Sequence, residues 1–223
     1  MGTHRLILAS QSPRRRELLA LLGLPFETTT PDVDEAPRTH EPPADLAVRL
    51  SQAKALAADG RPGDLIIACD TIVAHQDDIL GKPRDEAEAA VMLARLRGQF
   101  HTVFSSVTLL ETVTGRTVTD LAGTQVLMRD YTHAEVATYV ATRDPLDKAG
   151  AYAIQHTAFR PVSKLQGCYA SVMGLPLCHL VRCFRAWDIE PPGDVPAACQ
   201  AHNRYLCSVY SRVLAGQPGS SPL

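Results

Sequence analysis

The stretch Leu6-Ile7-Leu8-Ala9-Ser10-Gln11-Ser12-Pro13-Arg14-Arg15-Arg16-Glu17-Leu18-Leu19 constrains this chain more than any other. Its first four residues are apolar and read as a short buried strand, while the spacing from Leu18 to Leu22 reads as one face of a helix. Between them lies a helix start, with Ser12 as N-cap and Pro13 at the first helical position. The charge that follows is unfavourable. Arg14, Arg15 and Arg16 crowd an end where free backbone N–H groups already carry partial positive charge. An anion relieves the conflict, because N–H groups, small hydroxyls and guanidinium forks all favour phosphate oxygens. Taken alone, the three arginines read equally well as a solvated basic helix face. The strand-to-helix context favours phosphate.

A second stretch, Leu65-Ile66-Ile67-Ala68-Cys69-Asp70-Thr71-Ile72-Val73-Ala74, reads as an interior strand. An ionised carboxylate there is costly unless it is paired, hydrogen-bonded or bound to metal, which makes Asp70 a functional candidate. The competing reading is an acid at a strand-end turn. Gln76-Asp77-Asp78 turns the chain into Ile79-Leu80-Gly81-Lys82-Pro83, where Gly81 and Pro83 restrict the backbone around Lys82.

Between these stretches, residues 31–43 carry prolines and acids and read as a loop, with the pair Asp34-Glu35 as a solvated acidic patch. Ala44 to Asp59 has helical periodicity through Leu46, Leu50, Ala53 and Ala57, and Lys54 by default is a surface lysine on that helix. Asp85 to Arg97 is predicted as an amphipathic helix with Ala89, Met92, Leu93 and Leu96 inside. His101–Glu111 and Arg116–Met128 read as long strands joined at Val113-Thr114-Gly115. Thr132 with Glu135 makes a capping box for a helix ending near Thr142.

Composition excludes several classes. At 223 residues, 45% hydrophobic and 21% charged, the chain is of ordinary globular type, and a formal net charge of −2 gives no reason to bind nucleic-acid polymers or anionic membranes. No apolar run approaches a membrane span. Six cysteines without a C-x-x-C pair read as reduced packing thiols of a cytoplasmic protein, and Cys178, His179 and Cys183 match no common zinc spacing.

The motifs Ala9-Ser10-x-Ser12-Pro13-Arg14-Arg15-x-Glu17-Leu18-Leu19, Asp70-Thr71-x-Val73 followed by Leu80-Gly81-Lys82-Pro83, and Asp147-Lys148-Ala149-Gly150-x-Tyr152-x-Ile154-Gln155 resemble the Maf family of nucleotide pyrophosphatases. Gly167-x-Tyr169-x-Ser171-Val172-x-Gly174-Leu175-Pro176 is similar to that family's closing motif, with Ser171 in place of the usual Asn; His156 likewise replaces a Gly. The resemblance spans residues 4–186 as one Maf-like unit of two lobes, leaving 187–223 as an extension in which Val195 to Leu214 reads as an added helix before a flexible end.

It implies an α/β fold, an elongated twisted mixed sheet of Maf/ITPase-like type around a deep cleft, often as a homodimer. It also implies hydrolysis of a nucleoside triphosphate to monophosphate and pyrophosphate with Mg²⁺ or Mn²⁺. By the same resemblance, Asp70, Glu35 and Lys82 are the expected catalytic residues, with Asp70 and Glu35 also holding the metal. Ser10, Arg14, Arg15, Lys54, Thr71 and Gln155 are the expected substrate-binding residues. His101 also matches a family position, although a strand-start histidine is more often structural. Arg14, Thr71 and Gln155 are of the family's dTTP/UTP type, and His156, beside Gln155, is the departure expected to blur base preference. A rival of another class is a nucleotide-binding regulator of cell division without turnover. The intact acid, lysine and arginine set speaks against it.

Overall fold

A computed structural model describes residues 4–76 and 78–217. The order of elements is β1 (Leu6–Ala9), α1 (Pro13–Ala20), β2 (Phe26–Thr29), α2 (Pro43–Ala57), β3 (Leu65–His75), β4 (Asp78–Leu80), α3 (Glu86–Leu96), β5 (Phe100–Glu111), β6 (Thr117–Met128), α4 (His133–Ala141), β7 (Val162–Gln166), α5 (Tyr169–Met173), α6 (Leu177–Phe184), α7 (Val195–Asn203) and α8 (Tyr210–Leu214). Short 3₁₀ turns at Asp144–Asp147 and Ala149–Ala151 join α4 to β7. The strands form one sheet in the order β2-β1-β3-β5-β6-β7, with β4 also on β3. β1 runs parallel to β2 and β3, and the remaining pairs are antiparallel, so the sheet is mixed as expected. β5 and β6 are each 12 residues long, which gives the sheet an axis of about 40 Å.

The period-2 alternation of strands sorts the core. Leu6, Leu8, Leu65, Ile67, Cys69, Val107 and Leu109 face one side, where they pack with Leu18 and Leu19 of α1 and Leu180 and Phe184 of α6. Ile7, Ala9, Ile66, Ala68 and Leu110 face the other side, with Ala55 of α2. Each fully buried Leu or Ile among them contributes about 1.5–3 kcal/mol of burial. A separate cluster at the far end joins Val73, Val103 and Val126 to Leu93 and Leu96 of α3 and Tyr139 of α4.

The register of β1 and β4 on β3 leaves a gap along one edge of that strand. β1 stops where Ala9 pairs with Ala68, and β4 begins where Leu80 pairs with Val73. β5 covers the whole opposite edge of β3 from Leu65 to Ala74. Cys69 to Ile72 therefore lie along an interruption in the sheet, unpaired on that side among the described residues.

Two expectations need correction. The buried face of α2 runs through Leu46, Ala47, Leu50, Ser51, Lys54 and Ala55, while Ala57 is exposed. Lys54 is thus an inward-facing lysine, because its stem follows Leu46 and Leu50 at i+8 and i+4 on one stripe. The C-terminal stretch forms not one helix but α7 and α8. Arg204 turns left-handed (φ +49°) at the end of α7, and Cys207 N donates to Gln200 Oε1, folding the chain back. Val195 joins the main cluster, and Val209 and Val213 pack on Cys178. Leu206, in contrast, is 89% exposed. The final residues 218–223, expected to be flexible, lie outside the described residues.

Candidate active site

The interruption in the sheet opens into a cleft of ≈ 800 Å³. Ser10, Arg14, Arg15, Glu35, Lys54, Asp70, Thr71, Lys82 and Gln155 all line it, so the structure brings together every residue expected to be catalytic or substrate-binding, while His101 lies outside the lining.

Asp70 points to the α2 side of β3, in phase with Ile66 and Ala68, and is 5% exposed. Its Oδ1 accepts from Lys54 Nζ at 2.5 Å. The same ammonium lies 2.5 Å from Glu35 Oε1, so two carboxylates meet on one lysine. Burial alone would raise the Glu35 carboxyl, but the hydrogen bond from Lys54, with the charges of Lys54, Lys82 and Arg15, leaves it below its usual range. Glu35 is therefore an anion at the rim. Asp34 instead turns back on its own loop, where its Oδ1 accepts from Ala36 N. Cys69, beside Asp70, is fully buried and burial pushes its thiol up to about 11, which removes it as a nucleophile.

The three arginines divide by position. Ser12 caps α1 by accepting from Arg15 N, and Ser12 N in turn donates to Ser10 Oγ at 3.2 Å. Arg15 is fixed by three contacts: Nε to Gly174 O at 2.9 Å, Nη1 to Ser10 Oγ at 3.3 Å and Nη2 to Thr71 Oγ1 at 3.3 Å. Gly174 has φ +110°, and a Cβ there would lie 3.2 Å from Arg15 Nε, so glycine permits this close approach. Arg14 reaches across to Asp147 at 3.4 Å. Arg16 is exposed and stands outside the cleft lining.

Asp147 and Lys148 also line the cleft, a role the sequence reading did not give them. Lys148 is 7% exposed and donates to Asp144 Oδ1 at 2.9 Å and to Asp147 Oδ1 at 2.5 Å. Burial raises both aspartates, but the hydrogen bond and charge of Lys148, joined by Tyr139 at Asp144 and by Arg14 at Asp147, together hold them below the usual carboxylate range. A lysine flanked at i−4 and i−1 by acids was the available signal. Gly150 N donates to Gly81 O at 3.1 Å, seating this turn against the Lys82 loop.

His101 is structural, as its position suggested: its Nε2 lies 2.7 Å from Tyr152 Oη, and burial depresses it to about 3.

A family profile described as Maf-like protein matches residues 5–187, most of the chain. The chain belongs to the Maf family. A "dTTP/UTP pyrophosphatase" of Bacillus cereus (strain B4264) is 41% identical over 187 residues, covering 83% of this chain and 97% of that protein. One of Salinibacter ruber is 45% identical over 184 residues, covering 81% and 90%. Among solved structures, a nucleoside-triphosphatase / dITP/XTP pyrophosphatase from Mycobacterium abscessus aligns over 82% of this chain and 98% of its own, with 16% identity and a TM-score of 0.40.

The two departures from the Maf motifs sit away from the cleft lining. His156 packs on Tyr139 with ring centroids 4.6 Å apart and its Nδ1 accepts from Phe159 N, so it is turned from Gln155 toward α4. Ser171 is fully buried, its hydroxyl bonded to Cys168 O and Thr124 Oγ1. No helix among the described residues is long and apolar enough to cross a membrane.

Proposed function

We propose that this cleft hydrolyses the α–β phosphoanhydride bond of pyrimidine nucleoside triphosphates, dTTP and UTP, giving the monophosphate and pyrophosphate. The observation that carries the reading is the meeting of Asp70 and Glu35 on Lys54, opposite the arginines of α1. The names of relatives 41–45% identical support the same activity and substrates, and give no support to a regulator without turnover.

The chemistry needs positioning and charge neutralisation more than covalent help. Arg14, Arg15 and Lys82, with Ser10 and the N–H groups at the start of α1, hold the triphosphate oxygens and stabilise the charge developing on the leaving pyrophosphate. Asp70 Oδ2, the oxygen not held by Lys54, takes a proton from the attacking water. The water oxygen bonds to the α-phosphorus, the bond to the bridging oxygen breaks, and pyrophosphate leaves with that oxygen. Lys54 holds both carboxylates at one point.

The donor set fits a divalent metal that shares its ligands with substrate. No group of three or more His, Cys, Asp or Glu suited to a metal occurs among the described residues, but Asp70 and Glu35 supply two carboxylates. Mg²⁺ is commonly held by one or two carboxylates, the phosphates completing its shell. Bound there by Asp70 and Glu35, Mg²⁺ or Mn²⁺ would neutralise phosphate charge and orient the water.

Base choice rests on Gln155, whose amide offers a donor and an acceptor to the carbonyl and N–H edge shared by thymine and uracil. Product analysis tests the proposal. UTP is expected to give UMP and pyrophosphate, with turnover lost on chelation and restored by Mg²⁺ or Mn²⁺. Release of UDP and inorganic phosphate would place the cut at another bond.

A further inference from the structure

Thr71 lies on the interrupted edge of β3, and its hydroxyl is held from two sides. Arg15 Nη2 donates to Thr71 Oγ1 at 3.3 Å, and Ser105 Oγ lies 3.0 Å away on the directly paired position of β5. Ser105 is 0% exposed and lies behind the cleft lining. Its Oγ donates to the carbonyl oxygen of Ser171 at 2.6 Å. A carbonyl can only accept, and a serine hydroxyl has a single proton, so that proton is committed to Ser171. Ser105 Oγ must then accept from Thr71, and the single Thr71 proton points inward. Arg15 takes one lone pair of Thr71 Oγ1. What Thr71 has left for a ligand is a lone pair.

We infer that Ser105 is a positioning residue that makes Thr71 an acceptor-only contact, so that Thr71 reads a donor hydrogen on the nucleoside half of the substrate and cannot bind a phosphate oxygen. The inference rests on the nucleotide hydrolysis proposed above and deepens it. Arg14, Arg15, Lys54 and Lys82 are cationic donors that suit phosphate; an acceptor facing a phosphate oxygen sets two lone pairs against each other. Two donor hydrogens are common to dTTP and UTP on the nucleoside side: the ring N3–H, which Thr71 would share with Gln155, and the sugar 3′-hydroxyl. Cytosine has an unprotonated nitrogen in place of the first. A site whose polar group is left facing the wrong partner rejects a ligand far more strongly than one missing a methyl contact.

The Ser105→Ala variant isolates this effect. The Ser171 carbonyl keeps its hydrogen bond from Gly174 N at 2.9 Å, so the substitution leaves no buried acceptor stranded. The Thr71 proton loses its partner and turns toward the cleft. The experiment measures kcat and KM for UTP, CTP, dTTP and 3′-deoxythymidine triphosphate in wild type, Ser105→Ala, Thr71→Val and the double variant, with melting curves for each.

The expected result is that Ser105→Ala reduces one discrimination ratio by about tenfold while the other ratio holds. A fall in UTP over CTP identifies the ring N–H as the hydrogen read; a fall in dTTP over the 3′-deoxy analogue identifies the sugar hydroxyl. Adding Ser105→Ala to Thr71→Val is expected to change neither ratio further. Should Ser105→Ala fail to fold, Ser105→Cys, a weaker donor and acceptor, is expected to shift the same ratio by less. The inference is overturned if both ratios stay within about twofold, if all substrates decline in parallel, or if the effect persists in Thr71→Val. Wild-type protein that hydrolyses none of them would refute the proposed function itself, a separate and visible outcome.

Discussion

Asp70 shows how one residue can be costly for folding and useful for chemistry. A carboxylate between Cys69 and Ile72 on a buried strand is tolerable because Lys54 Nζ neutralises it at 2.5 Å. Lys54 is in turn shared with Glu35, so removing the Asp70 charge leaves the ammonium paired. Asp70→Asn is therefore expected to fold normally and to lose at least about a hundredfold in kcat, the usual scale for a general base or charge stabiliser. Matched melting and turnover assays check this, and near-normal turnover in folded Asp70→Asn would remove Asp70 from the chemistry. That Asp70 needed a partner was legible from the strand alone. The identity of the partner was not, because it depends on which face of α2 meets β3, and the apolar periodicity through Ala53 and Ala57 indicated a different face. The Arg14–Asp147 contact was equally hidden, since 133 positions separate its ends in sequence.

At the scale of elements, local signals served well. Ser12 and Pro13 start α1, Thr132 and Glu135 close a capping box, and Ala89, Met92, Leu93 and Leu96 are the buried positions of α3. Each is set by residues within one or two turns. The interruption between Ala68 and Val73 is a matter of register between three strands, and no local pattern carries it. α6 brings a different consequence. His179 is 1% exposed, neither ring nitrogen has a hydrogen-bond partner among the described residues, and burial depresses it to about 4, with the Asp120 charge opposing and the Arg182 charge assisting. His101 is depressed to about 3 by burial and by His75. Below the ordinary value of 6.5 the unfolded chain protonates these histidines while the folded protein does not. Their contribution to stability is therefore complete above pH 6.5 and lost as pH falls from there, toward about 4 for His179 and about 3 for His101, with a slope on the order of 1 kcal/mol per pH unit for each site. Denaturant melts across that range check the slope, and His179→Leu is expected to shallow it. A slope unchanged in His179→Leu would show that His179 does not titrate on unfolding.

Over the whole molecule, we propose that residues 1–186 form the catalytic unit and that 187–223 are an addition serving stability. Val195 and Val213 are 3% and 1% exposed, and the carbonyls of Val213 and Leu214 accept from Arg182 and Arg185. Removing residues 215–223 spares all of these contacts and is expected to leave turnover and melting temperature intact. Truncation at 190 would strip cover from Cys178 and the Val195 pocket and is expected to lower stability by several kcal/mol, on the order of 1.5–3 for each buried side chain lost. Lost turnover in the soluble 1–214 protein would mean that the tail reaches the cleft.

The proposed activity of this cleft is hydrolysis of nucleoside triphosphates with a choice for pyrimidines carrying a ring N–H. The most direct measurement is kcat/KM for dTTP, UTP, CTP, dGTP and 7-methyl-GTP with Mg²⁺ or Mn²⁺ present, read as pyrophosphate release. The expected result is similar values for dTTP and UTP, each at least about a hundredfold above the other three, because a mismatched buried hydrogen-bonding edge rejects a base on that scale or beyond. A preference for either guanine nucleotide, or equal use of CTP and UTP, would contradict it.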